Sequence, residues 1–281
     1  MICKRSFGFF SALCAKIEYM KKRILIAVLA ILTILTLTGM YFYYDATAIA
    51  PDNYRVSYVK VESAKLDKSF PKTSILYLTD LEYGGYVGEQ QLDKLQKLIN
   101  TLDYDVILFG GDLFDLDYNV VSDDIQILTE FLRSLKAPRG KFAIFGDFDL
   151  QTESRKNVVN KVLSDSNFEI LNNQLTLYLN YSQSVSLYGY SYSDQLKENI
   201  DTESLSLALI HNLELVNQLS DADLILCGNS HHKQINWPFS SEIRPGQHGN
   251  LYYSGGVGLT GEYKRLFNDP EVVIIQLIPK E

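Results

Sequence analysis

Apolar residues fill an uncharged twenty-residue stretch of the chain, ILIAVLAILTILTLTGMYFY from Ile24 to Tyr43, and charge returns on either side of it. About twenty apolar residues in a helix cross roughly 30 Å of hydrocarbon, so the stretch predicts a transmembrane helix over 24–44. A short segment, 1–23, precedes it and a large domain, 45–281, follows.

Beyond the apolar stretch the period changes. RVSYVKVES at 55–63 alternates as a half-buried strand does, and the segment ending in Pro71 reads as a connection. Five short apolar runs follow: SILYLT (74–79), DVILFG (105–110), KFAIFG (141–146), SLALI (206–210) and DLILC (223–227). Runs this continuous predict strands buried on both faces. Between them, helical spacing joins Leu92, Leu95, Leu98 and Leu102, then Ile125, Leu128, Leu132 and Leu135 behind a Ser122 cap, then Val158, Val159, Val162 and Leu163. Strand and helix alternate, which predicts an α/β layered fold, while LYYSGGV and EVVIIQLI add sheet near the end without a helix between them.

Charge orients the anchor. Lys21, Lys22 and Arg23 abut its start and Asp45 and Asp52 follow its end, so the positive-inside bias puts the N-terminus in the cytoplasm and the domain outside. Tyr41, Tyr43 and Tyr44 stand at the far boundary, where amphipathic rings favour headgroup level. The competing reading is a cleaved signal peptide, because Ala46-Thr47-Ala48 has the form of a cleavage site; the apolar region is long for that and favours an uncleaved anchor. Met20 followed by two lysines and an arginine would itself open such a segment, which makes Met20 an alternative start of translation. Of 26 basic and 34 acidic residues, six and one precede residue 45, leaving 20 and 33, or −13, for the domain. That balance repels nucleic-acid backbones and no basic stripe interrupts it, which excludes nucleic acid as a partner. Cys227 is the one cysteine beyond the apolar stretch; it follows an apolar run and reads as a small buried hydrophobe, with no disulfide framework in the domain.

Each of the five runs ends in, or within two residues of, a side chain able to bind a metal: Asp80, Asp112, Asp147, His211 and the pair Asn229/His231. Ligand sites of open α/β sheets gather beyond the carboxyl ends of the strands, so these five positions are expected to converge.

The ordered blocks TDLEYG, GGDLFD, FGDFD, ALIH and CGNSHHKQ make the chain, from about residue 52 onward, resemble the calcineurin-like metallophosphoesterases, whose blocks are DxH, GDxxD, GNH[DE], a lone His and GHxH. YYSGGVGLTGEYKRLFNDPEVVIIQL is similar to the family's membrane-anchored bacterial branch. The resemblance implies a four-layer α/β/β/α sandwich of two mixed sheets. It also implies one or two divalent metal ions, with Asp80, Glu82, Asp112 and His231 on one and Asp112, Asp147, His211 and Asn229 on the other. Asp115 and Asp149 would support these ligands by hydrogen bonding.

Four positions depart from the family's blocks. Glu82, Asp147 and Asn229 stand where the family has His, Asn and His, and still offer oxygen; Phe148 stands where a histidine supplies the leaving group's proton, and offers none. The oxygen-rich set favours manganese or magnesium. Four carboxylates bring two divalent ions to a net charge of zero, which weakens the attraction for a phosphate. Of the remaining candidates, His232 and His248 read as surface residues, and Tyr83-Gly84-Gly85-Tyr86 as a rim loop or a turn. Two functions compete: a membrane-anchored phosphoesterase acting on a phosphodiester or pyrophosphate, lipid-linked substrates included, and a catalytically inactive relative that serves as an envelope scaffold.

Overall fold

Side chains on a strand point alternately to opposite faces, and in this chain both faces are covered. The computed structural model describes residues 3–171, 173–180, 183–196, 199–229, 234–239 and 243–280, with side chains throughout except those of 3–15, 173–180 and 183. Two units divide it, Met1–Asp45 and Ala46–Glu281.

The first unit is one helix, α1 (Cys3–Tyr44). The described part of 1–23 belongs to the same helix as the apolar stretch. Side chains from Ile24 to Met40 are exposed all round, as in a helix built for lipid and not for a protein core. Thr33 and Thr36 return their hydroxyls to the carbonyls of Leu29 and Leu32, each at 2.8 Å, which satisfies both groups within the helix. Among the described residues one span, Lys16–Asp52 with mean hydropathy 2.4, is long and apolar enough to cross a membrane.

In the second unit, strands β1 (Arg55–Ser63), β2 (Thr73–Leu78), β3 (Val106–Phe109), β4 (Lys141–Ala143), β5 (Glu169–Ile170) and β12 (Glu271–Pro279) form one mixed sheet in the order β1-β12-β2-β3-β4-β5. Strands β6 (Asn173–Asn180), β7 (Gln183–Tyr190), β8 (Leu205–Ile210), β9 (Leu224–Cys227), β10 (Gly246–His248) and β11 (Leu251–Tyr253) form the other, in the order β10-β11-β9-β8-β7-β6. Parallel pairing joins β2 to β3 and β3 to β4 in the first sheet, and β8 to β9 in the second. The carboxyl ends of each set therefore lie side by side.

Helices α2 (Glu89–Ile99), α3 (Ser122–Ser134) and α4 (Glu153–Asp165) cover the outer face of the first sheet. Leu76, Leu78, Ile107 and Phe109 pack toward them, while their alternates Ile75, Tyr77, Val106 and Leu108 meet Leu207, Leu209, Leu224 and Leu226 of the second sheet in the central core. The outer face of the second sheet, with Ala208, Ile210, Ile225 and Cys227, is covered by a single 3-10 helix, Leu213–Leu219, so the fourth layer is thin. Cys227 is buried there and burial pushes its thiol pKa up, consistent with a packing role.

Two local expectations need correcting. Ser122 is the first helical residue of α3 and not its cap; the Val121 N–H donates to the Asp124 carboxylate at 2.9 Å, closing that end instead. The hairpin β6–β7 is not anticipated by the run pattern at all.

Candidate metal centre

Asp80, Asp112, Asp147, His211 and Asn229 follow the carboxyl ends of β2, β3, β4, β8 and β9, so the two adjacent sets of parallel strands deliver them to one edge. Single ligand atoms of Asp80, Asp112 and His211 lie within 4.8 Å of one another, all three side chains buried. Asp147 joins them through Oδ1, 3.1 Å from His211 Nε2, and its side chain is partly open to solvent. Asn229 meets Asp80 through its main chain, its N–H donating to Asp80 Oδ1 at 3.1 Å. Glu82 is buried next door but stands outside the three-residue group; its N–H donates to the Asp112 carbonyl at 3.0 Å. His231 and His232 lie outside the described residues.

The backbone is strained where these side chains leave it. Asp80, Glu82, Asp112 and Asn229 have φ of 53°, 50°, 56° and 60°, the left-handed region that non-glycine residues seldom enter. Such strain, about 1–3 kcal/mol per residue, persists only where the surroundings over-determine it, and it gathers at functional sites. Gly256 (φ 68°) shows the crowding: a Cβ there would stand 2.8 Å from Asp80 Cβ.

Asp149 is the brace. Its carboxylate accepts from the N–H groups of Asp112 (2.8 Å), Leu113 (2.9 Å) and Gly146 (2.9 Å), tying the β3 and β4 ends together. Burial and the adjacent Asp112 charge push its pKa up to about 6. Asp115 works elsewhere than the motif implied: it accepts from the Thr260 hydroxyl and from the Leu116 N–H (2.8 Å), holding the loop near the chain's end instead of a candidate ligand.

His211 carries the clearest chemical statement. Nδ1 lies 2.7 Å from the Gly110 carbonyl, which can only accept, so Nδ1 bears the proton. Nε2 then faces Asp112 Oδ2 at 3.0 Å and Asp147 Oδ1 at 3.1 Å, with Asp80 Oδ1 at 3.9 Å. A neutral Nε2 lone pair aimed at carboxylate oxygens is repulsive without a cation between them. Burial alone would lower the imidazole pKa; Asp112, Asp147 and Asp80 outweigh it and hold the ring well above its ordinary value, so the pocket demands positive charge. An imidazole that donates one nitrogen to a backbone carbonyl and turns the other toward carboxylates is arranged as metal-bound histidines are. The residues present therefore fit a divalent cation.

Phe148 is buried, 6% exposed, and its N–H donates to Asp112 Oδ1 at 2.9 Å, so position 148 keeps a main-chain role and brings no proton. Two contributors were missed in the sequence. Arg265 is fully buried and donates to the carbonyls of Gly255, Gly256, Gly258 and Asn268, fixing the glycine loop behind Asp80. Burial lowers its pKa, opposed chiefly by the charges of Glu82, Tyr54 and Asp80, so a guanidinium left out of the motif-based charge count lies in the field of the site. Tyr192 stands edge-on to the His211 ring, centroids 6.1 Å apart. Tyr192 lies outside the quoted blocks, and Arg265 lies within the C-terminal stretch without having been singled out. Of the other candidates, His248 is exposed, and Tyr83 is buried with bridges to Val87 and Phe114, so the 83–86 segment is a built turn.

A model of the calcineurin-like phosphoesterase family matches residues 73–257. An uncharacterized metallophosphoesterase of Campylobacter jejuni is 28% identical over 269 residues, covering 88% of this chain and 69% of the relative. Phosphodiesterase YaeI of Escherichia coli is 29% identical over 229 residues, covering 73% and 82%. A transmembrane protein with metallophosphoesterase domain from Danio rerio is 22% identical over 250 residues, covering 78% of this chain but 56% of its own length. Two Helicobacter pylori metallophosphoesterases are likewise spanned for only 64% of their length. With two sheets, a strand-end cluster of Asp80, Asp112 and His211, and a family match over most of the folded unit, the chain belongs to the calcineurin-like phosphoesterase family.

Proposed function

We propose that the protein is a membrane-anchored, divalent-cation-dependent phosphoesterase that cleaves a phosphodiester or pyrophosphate at the outer face of the membrane. The observation that carries this reading is His211, with Nδ1 committed to Gly110 and Nε2 turned into a buried group of carboxylates. Asp80, Asp112 and His211 would hold the ion, with Asp147, Glu82, Asn229 and His231 as further ligands. Bound there, a divalent ion neutralises phosphoryl oxygens and lowers the pKa of water toward neutrality. The chain's part is positional: Asp149 fixes the Asp112 backbone, Gly110 fixes the imidazole, and the Phe148 N–H holds the Asp112 carboxylate. The relative named a phosphodiesterase supports the diester class. The apolar helix and the relatives named transmembrane proteins support anchoring, and the basic cluster Lys21–Arg23 supports a cytoplasmic N-terminus.

Phe148 and the excess of carboxylates favour a second reading, an inactive scaffold. Hydrolysis of bis(p-nitrophenyl) phosphate by the full chain in detergent with added manganese separates the two. The phosphoesterase reading expects turnover that Asp112→Asn abolishes; no turnover with manganese bound would leave the scaffold.

A further inference from the structure

Apolar side chains are exposed on the stretch of chain that follows the candidate ligand Asn229. The segment leaving Asn229 exposes Ile235 (49%), Trp237 (54%), Phe239 (87%) and Ile243 (37%), and Phe267 (45%) joins them with its ring centroid 5.9 Å from that of Trp237. The segment's described start, residues 234–236, is tied to residues 260–266. Ile235 bridges Leu266, the Asn236 N–H donates to the Leu266 carbonyl at 2.9 Å, and Gln234 bonds the Thr260 backbone in both directions at 2.8 Å. Phe267 is held at φ 56°, a conformation costly for a bulky residue, so the fold strains its backbone to keep an aromatic ring at the surface.

We propose that this aromatic rim inserts into the bilayer that the apolar helix anchors, so that the site meets phosphoesters presented in the membrane. The proposal rests on the anchored reading given above. In that reading the apolar helix tethers the chain to a bilayer, so the rim meets lipid at high effective concentration. Tryptophan and phenylalanine beside a polar backbone suit the interfacial zone, whereas an aqueous partner gives no reason for a phenylalanine 87% exposed. Charge also selects the mode: with a net charge of −13 from residue 45 onward, the domain is not drawn to anionic lipid, so apolar insertion must do the holding and salt should not release it.

Trp237 is the chain's only tryptophan, so it reports on the rim without labelling. The full chain is reconstituted in phosphatidylcholine/phosphatidylglycerol vesicles, with and without lipid brominated near the headgroup end of its acyl chains, and titrated with acrylamide. The expected result is emission quenched roughly twofold or more by bromolipid, protection from acrylamide, and no change in high salt. Phe239→Asp with Ile243→Asp should reverse the first two and leave hydrolysis of soluble bis(p-nitrophenyl) phosphate unchanged. No bromolipid quenching with free access to acrylamide would mean that the rim stays in water, and no bromolipid quenching with blocked access would mean that protein covers it; either overturns the proposal. Carbonate extraction is run alongside. A chain that carbonate strips from the vesicles fails the anchored reading and this proposal with it, while a retained, unquenched chain fails this proposal alone.

Discussion

Replacing Phe148 by histidine tests how much of the chemistry that side chain removes. A positioned general acid accelerates the departure of a poor leaving group by about 10²–10⁴, or about 3–5 kcal/mol of barrier. Activated groups such as nitrophenolate leave without a proton, so the native protein should show a steep dependence of kcat/KM on leaving-group pKa. Phe148→His should flatten that dependence, raising kcat/KM for alkyl esters by up to the same 10²–10⁴ and changing nitrophenyl esters little. The main-chain bond from residue 148 to Asp112 survives any side chain, so the ligand geometry should hold. Packing does not come free: burying a phenylalanine contributes about 1.5–3 kcal/mol, of which the smaller, polar imidazole forfeits roughly half. For a domain of this size that lowers Tm by about 2–6 °C, which calorimetry can verify before any kinetics are read. The assay is kcat/KM across methyl phosphodiesters with leaving groups from nitrophenol to a simple alkanol. If the native protein already turns over the alkyl ester at about 1–10³ per second, the reasoning about Phe148 is refuted. Tyr192, packed on His211, would then be the residue to substitute next. The quadruple variant Glu82→His, Asp147→Asn, Phe148→His and Asn229→His restores ligands, charge and acid together, and should exceed the single variant on alkyl esters.

Chelation should destabilise the protein, since the cation that Asp80, Asp112, Asp147 and His211 call for is removed; at a hundredfold excess over Kd that linkage is about 2.7 kcal/mol, and a Tm indifferent to EDTA would contradict it. Asp149→Ala leaves the N–H groups of Asp112, Leu113 and Gly146 without their acceptor, at about 1–3 kcal/mol each, offset by relief of a buried charge. A net loss of about 2–4 kcal/mol by denaturant titration is expected, and unchanged stability would mean that Asp149 braces nothing. A reporter fused after Glu281 should be active only outside the cytoplasmic membrane, and cytoplasmic activity would reverse the proposed orientation. Excess manganese should compete with zinc for the purified protein better than at a nitrogen-rich site; stoichiometric zinc unmoved by excess manganese would contradict the oxygen-rich donor set.

The strands were legible because burial on both faces leaves no polar alternation to confuse them; Ile75 and Tyr77 pack inward while Leu76 and Leu78 pack outward, and all four are apolar. The hairpin β6–β7 was not, because Ser184, Val185, Ser186 and Leu187 alternate polar and apolar, and no continuous apolar run marks the segment as it marks the core strands. Asp80, Asp112, Asp147 and His211 were legible by position alone, each just beyond a strand that the apolar runs had marked. Their strained backbone was not, since a left-handed φ at an aspartate leaves no trace in composition. Arg265 sits beside Lys264, and only the closed fold buries the first among carbonyls while the second pairs with Glu262 at the surface. Asp115 shows the converse: its block matched, yet its carboxylate turned to Thr260, a partner 145 residues away.

The central claim is that this strand-end group is a divalent-cation site. Metal content by inductively coupled plasma mass spectrometry, after dialysis of the full chain against manganese and then against metal-free buffer, tests it most directly when native protein is compared with Asp112→Asn. Native protein should retain at least one manganese ion per chain, and the variant, which loses one of the three grouped ligand side chains, should show a clear loss. Native protein that returns from dialysis without metal, or a variant that keeps as much as the native chain, would contradict it.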